Sequence, residues 1–257
     1  MHPIALGFLA SLLAGLGTGI GALPVLLPVQ PSERLQGVLL GVGGGVMLAA
    51  TSFSLILPGT DAAIALGYAP PSAALIMVAG VLLGGGFLWT AHNIFPHEHF
   101  FKGHEGPAAQ NIKRIWLFVI AIALHNFPEG LAVGVGFGGG ERTGAIALAL
   151  GIALQNLPEG FVVAVALRNL NYNPRHAVGI STLTGLVEPI GGLVGAAVVS
   201  VAETMLPWAM GFAAGAMLFV IVDEIIPDID QKAFGQRGTL GLMGGFVVMM
   251  FLDIALR

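Results

Sequence analysis

The chain has no cysteine, which removes disulfides, thiolate metal sites and cysteine nucleophiles together. Charge is almost as scarce. Only 9% of its 257 residues are Asp, Glu, Lys or Arg, against about 25% in an ordinary soluble domain. With 56% hydrophobic residues, such a chain cannot cover a water-facing globule, and lipid is its solvent. The net charge of -4 comes with no basic patch, so nucleic acid is excluded as a partner. No alternating pattern of about ten residues recurs along the chain, which argues against strands and a membrane barrel. Lysine and arginine are also missing from Met1-His2-Pro3, ahead of the first apolar run. That run therefore reads as a first span and not as a cleaved signal.

What the chain does have is long apolar runs and 39 glycines, the residue that lets helices pack closely in lipid. A crossing helix needs about 20 mostly apolar residues. Eight runs fit: roughly 4–28, 35–57, 72–93, 114–137, 144–167, 176–201, 205–226 and 238–255. Prolines punctuate the breaks, at Pro28, Pro31, Pro58, Pro70, Pro71, Pro174, Pro207 and Pro227. The expectation is an all-α polytopic membrane protein, with eight transmembrane helices in a single domain over residues 1–257. Alternate connections carry Arg34; Lys102, Lys113 and Arg114; Arg168 and Arg175; and Lys232 and Arg237. The opposite side has only Arg142 and Arg257. Basic loops face the cytoplasm, so both termini are expected outside it.

The chain is organised around a repeated hexamer. His125-Asn126-Phe127-Pro128-Glu129-Gly130 returns as Gln155-Asn156-Leu157-Pro158-Glu159-Gly160. In each copy a nitrogen or amide side chain and a glutamate, four residues apart, share one helix face. The proline before each glutamate has no N–H, which frees the carbonyl of Leu124 in one copy and of Leu154 in the other. A second repeat pairs Gly41-Val42-Gly43-Gly44-Gly45-Val46-Met47-Leu48, running to Pro58, with Gly211 through Gly215, Met217 and Leu218, running to Pro227. The paired spans, two with seven and four with five, run in opposite directions, the pattern of inverted repeats whose sites lie at the midplane.

Glu129 and Glu159 lie fifteen residues past the start of their spans and Glu188 twelve past the start of its own, all near mid-span. An acidic side chain there costs about 2.5–3.5 kcal/mol on insertion scales, and three at one depth repel one another. Divalent cations answer both penalties. Oxygen ligands with the imidazole of His125 suit zinc and similar ions. With no thiolate, the site can hold an ion and also release it, which favours passage over storage.

These motifs resemble the signature of the ZIP family of divalent-metal transporters, in its bacterial GufA-like branch. The resemblance extends through MLAATSFSLILPG, GLVEPIGG and FAAGAMLF and covers essentially the whole chain. It implies a two-metal site between spans four, five and six with one contribution from span two. One metal would meet Met47, His125, Glu129, Gln155 and Glu159. The other would meet Asn126, Glu129, Asn156, Glu159 and Glu188. Gln155 stands where many relatives have histidine and Asn156 where some have aspartate, so one firmly held ion is an alternative to two. Met47 reads equally as a soft ligand and as a core methionine. The resemblance also implies an elevator-like motion in which spans one, four, five and six move past a dimer-forming scaffold of spans two, three, seven and eight. The expected setting is the inner (plasma) membrane, as a homodimer in the lipid bilayer. The expected cargo is Zn2+ or Cd2+, with Fe or Mn further candidates, and no organic cofactor is expected.

Other polar residues admit two readings each. His97, His99 and His104, with His92, Glu98 and Glu105, cluster around a cytoplasmic connection at 94–112. They either collect released metal or are incidental histidines of a solvated loop. Asp223 and Glu224 form either an exit station or an interfacial acidic cap. Asp253 either draws cations to an entrance or faces water at a helix end. The chain has no His-Glu-x-x-His and no serine–histidine pairing, so an intramembrane metalloenzyme is disfavoured. Its loops are too short for a receptor's signalling domain. Transport of divalent metal into the cytoplasm is the expected function.

Overall fold

In lipid, each backbone N–H and C=O must find a partner within its own segment, and the chain meets this almost wholly with helices. The computed structural model describes residues 2–27, 32–94, 97–99, 103–105, 114–139, 142–169, 171–230 and 235–256. Helix α1 is Pro3–Ala22, α2 Glu33–Ala49, α3 Leu57–Ala65, α4 Pro70–Ile94, α5 Arg114–Gly138 and α6 Arg142–Asn169. These are followed by α7 Pro174–Gly185, α8 Glu188–Val201, α9 Leu206–Val220, α10 Ile226–Asp230 and α11 Gly235–Ala255. Side-chain caps start several of them. Ser32 accepts from the Leu35 N–H at 3.3 Å before α2, and Asn173 accepts from the Arg175 N–H at 3.0 Å before α7.

Among the described residues, 7 helical stretches are long and apolar enough to cross a membrane. They are Pro3–Leu26, Arg34–Ala65, Pro70–Ala91, Arg142–Asn169, Pro174–Val201, Glu203–Ile225 and Gln236–Ala255. Helix α5, at 25 residues, falls within the 20 to 32 residues of these stretches and carries the first hexamer. Large apolar side chains such as Leu75, Leu82, Trp89, Leu240 and Phe251 stand exposed, as expected of surfaces that meet hydrocarbon.

The structure departs from the sequence expectations in three places. Pro58 and Pro227 do not end their helices. Each is preceded by a wide π-helical stretch, Ala50–Ile56 in one case and Ile221–Ile225 in the other. There the Leu57 N–H reaches the Ser52 carbonyl and the Ile226 N–H reaches that of Ile221. A proline ring displaces the carbonyl four residues back, and the added residue in the turn absorbs that displacement. Thr51 and Ser52 hydroxyls support the first stretch by donating to the Met47 and Leu48 carbonyls at 2.8 and 2.9 Å. Both wide turns begin within four residues of the methionine in the repeated glycine-rich segment.

The second departure is in the sixth run, which is two helices. Helix α7 stops at Gly185, Leu186 and Val187 turn, and α8 starts at Glu188 with Pro189 in its first turn. The third is a small antiparallel hairpin, β1 His97–His99 with β2 Gly103–Glu105, pairing His97 with Glu105 and Glu98 with His104. No strand was expected there.

Glycine governs which helices touch. Helix α1 meets α6 and α8, and α5 meets α8, with backbone against backbone. A Cβ at Gly130 would overlap the Glu188 carbonyl, and one at Gly160 that of Thr18. Helix α2 meets α11 through Gly41 and Gly45, and α4 meets α9 through Gly80 and Gly84. Between these two sets the contacts use side chains instead. Gly43 of α2 faces the Gln155 side chain, and Gly151 of α6 faces that of Met249.

Candidate metal centre

Helices α5 and α6 continue through Pro128 and Pro158, so both hexamers keep their amide or imidazole and their glutamate on one face. The close approach at Gly130 brings α8 against this face, and with it Glu188 at that helix's N-terminus. The unpaired N–H groups of a helix start favour a carboxylate. The break at Leu186-Val187 thus supplies partial positive charge at mid-span depth, where water cannot.

The three glutamates converge, with amides between them. Gln155 Nε2 donates to Glu129 Oε1 at 2.6 Å and to Glu159 Oε2 at 2.9 Å. Asn156 Nδ2 donates to Glu188 Oε1 at 2.7 Å and to the Ala14 carbonyl of α1 at 2.8 Å. Asn126, Glu129, Asn156 and Glu188 are wholly buried, and Gln155 nearly so. Among the described residues, one oxygen on each glutamate has no hydrogen-bond partner: Glu129 Oε2, Glu159 Oε1 and Glu188 Oε2. Gln155 Oε1 and both amide atoms of Asn126 are in the same position. Leaving a buried polar atom unsatisfied costs about 1–3 kcal/mol, more if charged. Five of these atoms are oxygens, and together they form a built site for a group that accepts electron pairs.

Among the described residues, no three His, Asp or Glu side chains stand in a ready coordination geometry. The Gln155 amide lies between the Glu129 and Glu159 carboxylates and holds them as a cation would, while the Asn156 amide ties Glu188 to the Ala14 carbonyl. His125 extends the locus on another side: its Nε2 contacts Glu224 Oε2. Glu224 lies in the wide turn after α9 and is buried. Sequence reasoning had paired it with Asp223 at a membrane boundary and missed this placement. Only the coincidence of Pro227 with a glycine-rich repeat signalled an irregular turn. Asp223 is half-buried.

Met47 is buried in the main apolar cluster, which also holds Leu148, Ile152 and Met249. It lies four residues after Gly43, which faces Gln155, so it shares the α2 face turned to α6. Asp253 is almost wholly buried and accepts from the Ser54 hydroxyl at 2.6 Å. It does not face open water. With Asp61 it lines a cavity of about 440 Å³ whose walls include Leu148 and Met210. The backbone of His97, His99 and His104 forms the hairpin, while their side chains lie outside the described residues.

The family described as ZIP Zinc transporter matches residues 91–253, which hold both hexamers and Glu188. The chain is 47% identical to the zinc transporter GufA of Myxococcus xanthus, over 97% of this chain and 98% of that one. It is 44% identical to the zinc transporter ZIPB of Bordetella bronchiseptica, over 93% and 77%. To the human zinc transporter ZIP11 it is 32% identical, over 93% and 94%. The chain belongs to the ZIP family of zinc transporters.

Proposed function

We propose that this protein carries zinc, and with it similar divalent ions such as cadmium, iron or manganese, across the inner membrane into the cytoplasm. The observation that carries this reading is the set of unsatisfied oxygens on Glu129, Glu159 and Glu188, buried at one locus between helices. A divalent ion placed there meets His125 and the Gln155 oxygen as well, after the Gln155 amide turns its nitrogen away from the two carboxylates. An ion therefore competes with an internal amide, which tempers affinity and leaves release possible. That balance suits a carrier, and no bound water needs activating for it.

Asn156 sets the number of ions. Its nitrogen already satisfies one Glu188 oxygen, and it adds no charge where an aspartate would. One ion held by His125, Glu129, Gln155 and Glu159, with Met47 beside it, is the main occupancy. A second position at Asn126 and Glu188 is weaker.

The route begins at the cavity lined by Asp253 and Asp61, passes the glutamates, and leaves past Glu224 and Asp223. The histidines at 97, 99 and 104 receive the ion on the cytoplasmic side. Eight crossing helices follow from the apolar runs, and the positions of lysine and arginine put both termini outside the cytoplasm. The division of the glycine seams supports a moving bundle of α1, α5, α6, α7 and α8 against a scaffold of α2, α4, α9 and α11. The scaffold also dimerises, and the exposed leucines sit in the bilayer. The repeated wide turns support inverted repeats.

Zinc uptake into vesicles reconstituted with the purified protein tests the reading. Uptake is expected in the parent and nearly absent in Glu129→Ala and His125→Ala, with insertion intact. Parental uptake in both variants would remove the site from the mechanism. Peptide or lipid hydrolysis without flux would point to an enzyme instead.

A further inference from the structure

About two turns of α6 separate the Asp253 cavity from the glutamate locus, and the Met249 side chain is seated between them. On α6 the residues Leu148, Gly151 and Gln155 follow one another along a face, at spacings of three and four. Leu148 lines the cavity, and Gln155 binds the glutamates. Gly151 lies between them. On α11, Asp253 lines the same cavity and Met249 lies four residues earlier. The tip of Met249 occupies the space that a side chain at Gly151 would take. A Cβ there would overlap its Sδ and lie 2.8 Å from its Cε. Met249 is wholly buried, and its apolar cluster includes Leu148 and Ile152.

We propose that Met249, seated in the Gly151 notch, is the side chain that closes the route between the Asp253 cavity and the metal locus, and that it closes it by bulk and not by ligating the ion. This rests on the transport reading above. The barrier spans the two helix sets, since α6 carries the glutamate locus and α11 packs with α2. It consists of an unbranched side chain against bare backbone. Methionine has three rotatable bonds and adapts to irregular gaps, so the knob withdraws without breaking a hydrogen bond. Sliding α6 relative to α11 takes the notch away from the knob. No polar group has to be desolvated at that step.

The absence of cysteine allows a direct test. A single reporter, Gln155→Cys, is read by its labelling rate with a membrane-impermeant thiol reagent added outside sealed vesicles. Met249→Ala is expected to raise that rate at least tenfold, and Met249→Leu, which keeps the bulk without the sulfur, to change it less than threefold. Met249→Val, which removes the sulfur and methyl in the notch and branches the side chain at Cβ, gives a second measurement if the alanine variant fails to insert. An unchanged rate in the alanine or valine variant overturns the proposal. So does a leucine variant as fast as alanine, because the sulfur and not the bulk would then matter. Zinc uptake by the chain without the reporter is measured alongside. Its absence would sink the transport reading, while the labelling rates still report whether the knob closes the path.

Discussion

Asn156 ties Glu188 to helix α1: one amide nitrogen lies 2.7 Å from Glu188 Oε1 and 2.8 Å from the Ala14 carbonyl. A neutral donor therefore stands where a second cation would need a ligand. Asn156→Asp exchanges both hydrogen bonds for a further negative charge. Without metal the variant is expected to lose about 2 kcal/mol of stability, read as a lowered melting temperature. Zinc should restore that loss, and calorimetry should show the stoichiometry rising from one toward two. A parent that already binds two ions with equal affinity would contradict the role given to Asn156.

Gln155 holds two carboxylates together in the metal-free protein. Gln155→Ala leaves Glu129 and Glu159 facing each other, and two hydrogen bonds to charged groups are worth about 3 kcal/mol together. The metal-free variant should melt markedly lower than the parent. Because an ion that binds only the folded state adds stability by mass action, the rise in melting temperature on adding zinc should be larger in the variant. Equal shifts in both proteins would mean the amide does not compete with the ion.

Glu224 is expected to act after binding. Glu224→Gln keeps the shape of the contact with His125 but removes the charge that draws an ion onward. Maximal uptake should fall about tenfold, the scale seen when groups supporting a metal site are changed, while the zinc concentration for half-maximal rate changes less than threefold. The opposite split would make Glu224 part of the binding position.

Two glycines on α4 separate packing from propensity. A Cβ at Gly84 would overlap the Phe212 carbonyl of α9, whereas at Gly86 nothing lies within 4 Å. Gly84→Ala should cost about 1–3 kcal/mol by thermal unfolding in detergent. Gly86→Ala should be neutral or stabilise by up to about 1 kcal/mol. Similar values for the pair would place the α4–α9 contact elsewhere.

The hexamers were legible because a proline and a glutamate are costly inside a long apolar run unless the glutamate meets a compensating charge, and because they occur twice. Gly43 and Gly151 give no such signal. Their meaning lies in partners about a hundred residues away, Gln155 for one and Met249 for the other. The break before Glu188 was half legible: Pro189 marks a helix start, but the surrounding run is apolar enough to read as one span. Glu224 was misjudged for a physical reason. Treating Pro227 as a terminus put the residue at the water's edge, whereas the widened turn continues the helix and aims the side chain inward. Ser54 and Asp253 are each ordinary alone and become a pair only when α2 and α11 are packed together.

The stretch Ile221–Ile225 has one residue more in its turn than an α-helix would. Deleting Ile221 or Val222 would force the segment back into ordinary winding, and the Pro227 ring would then press on the carbonyl four residues before it, which the wide turn now keeps clear. Losing a residue and tightening the turn offset each other, so Glu224 and everything beyond the stretch would keep nearly their present direction. Regular winding and an interior proline are incompatible in this helix, so shortening it by one residue should lower the melting temperature while Glu224 still meets His125.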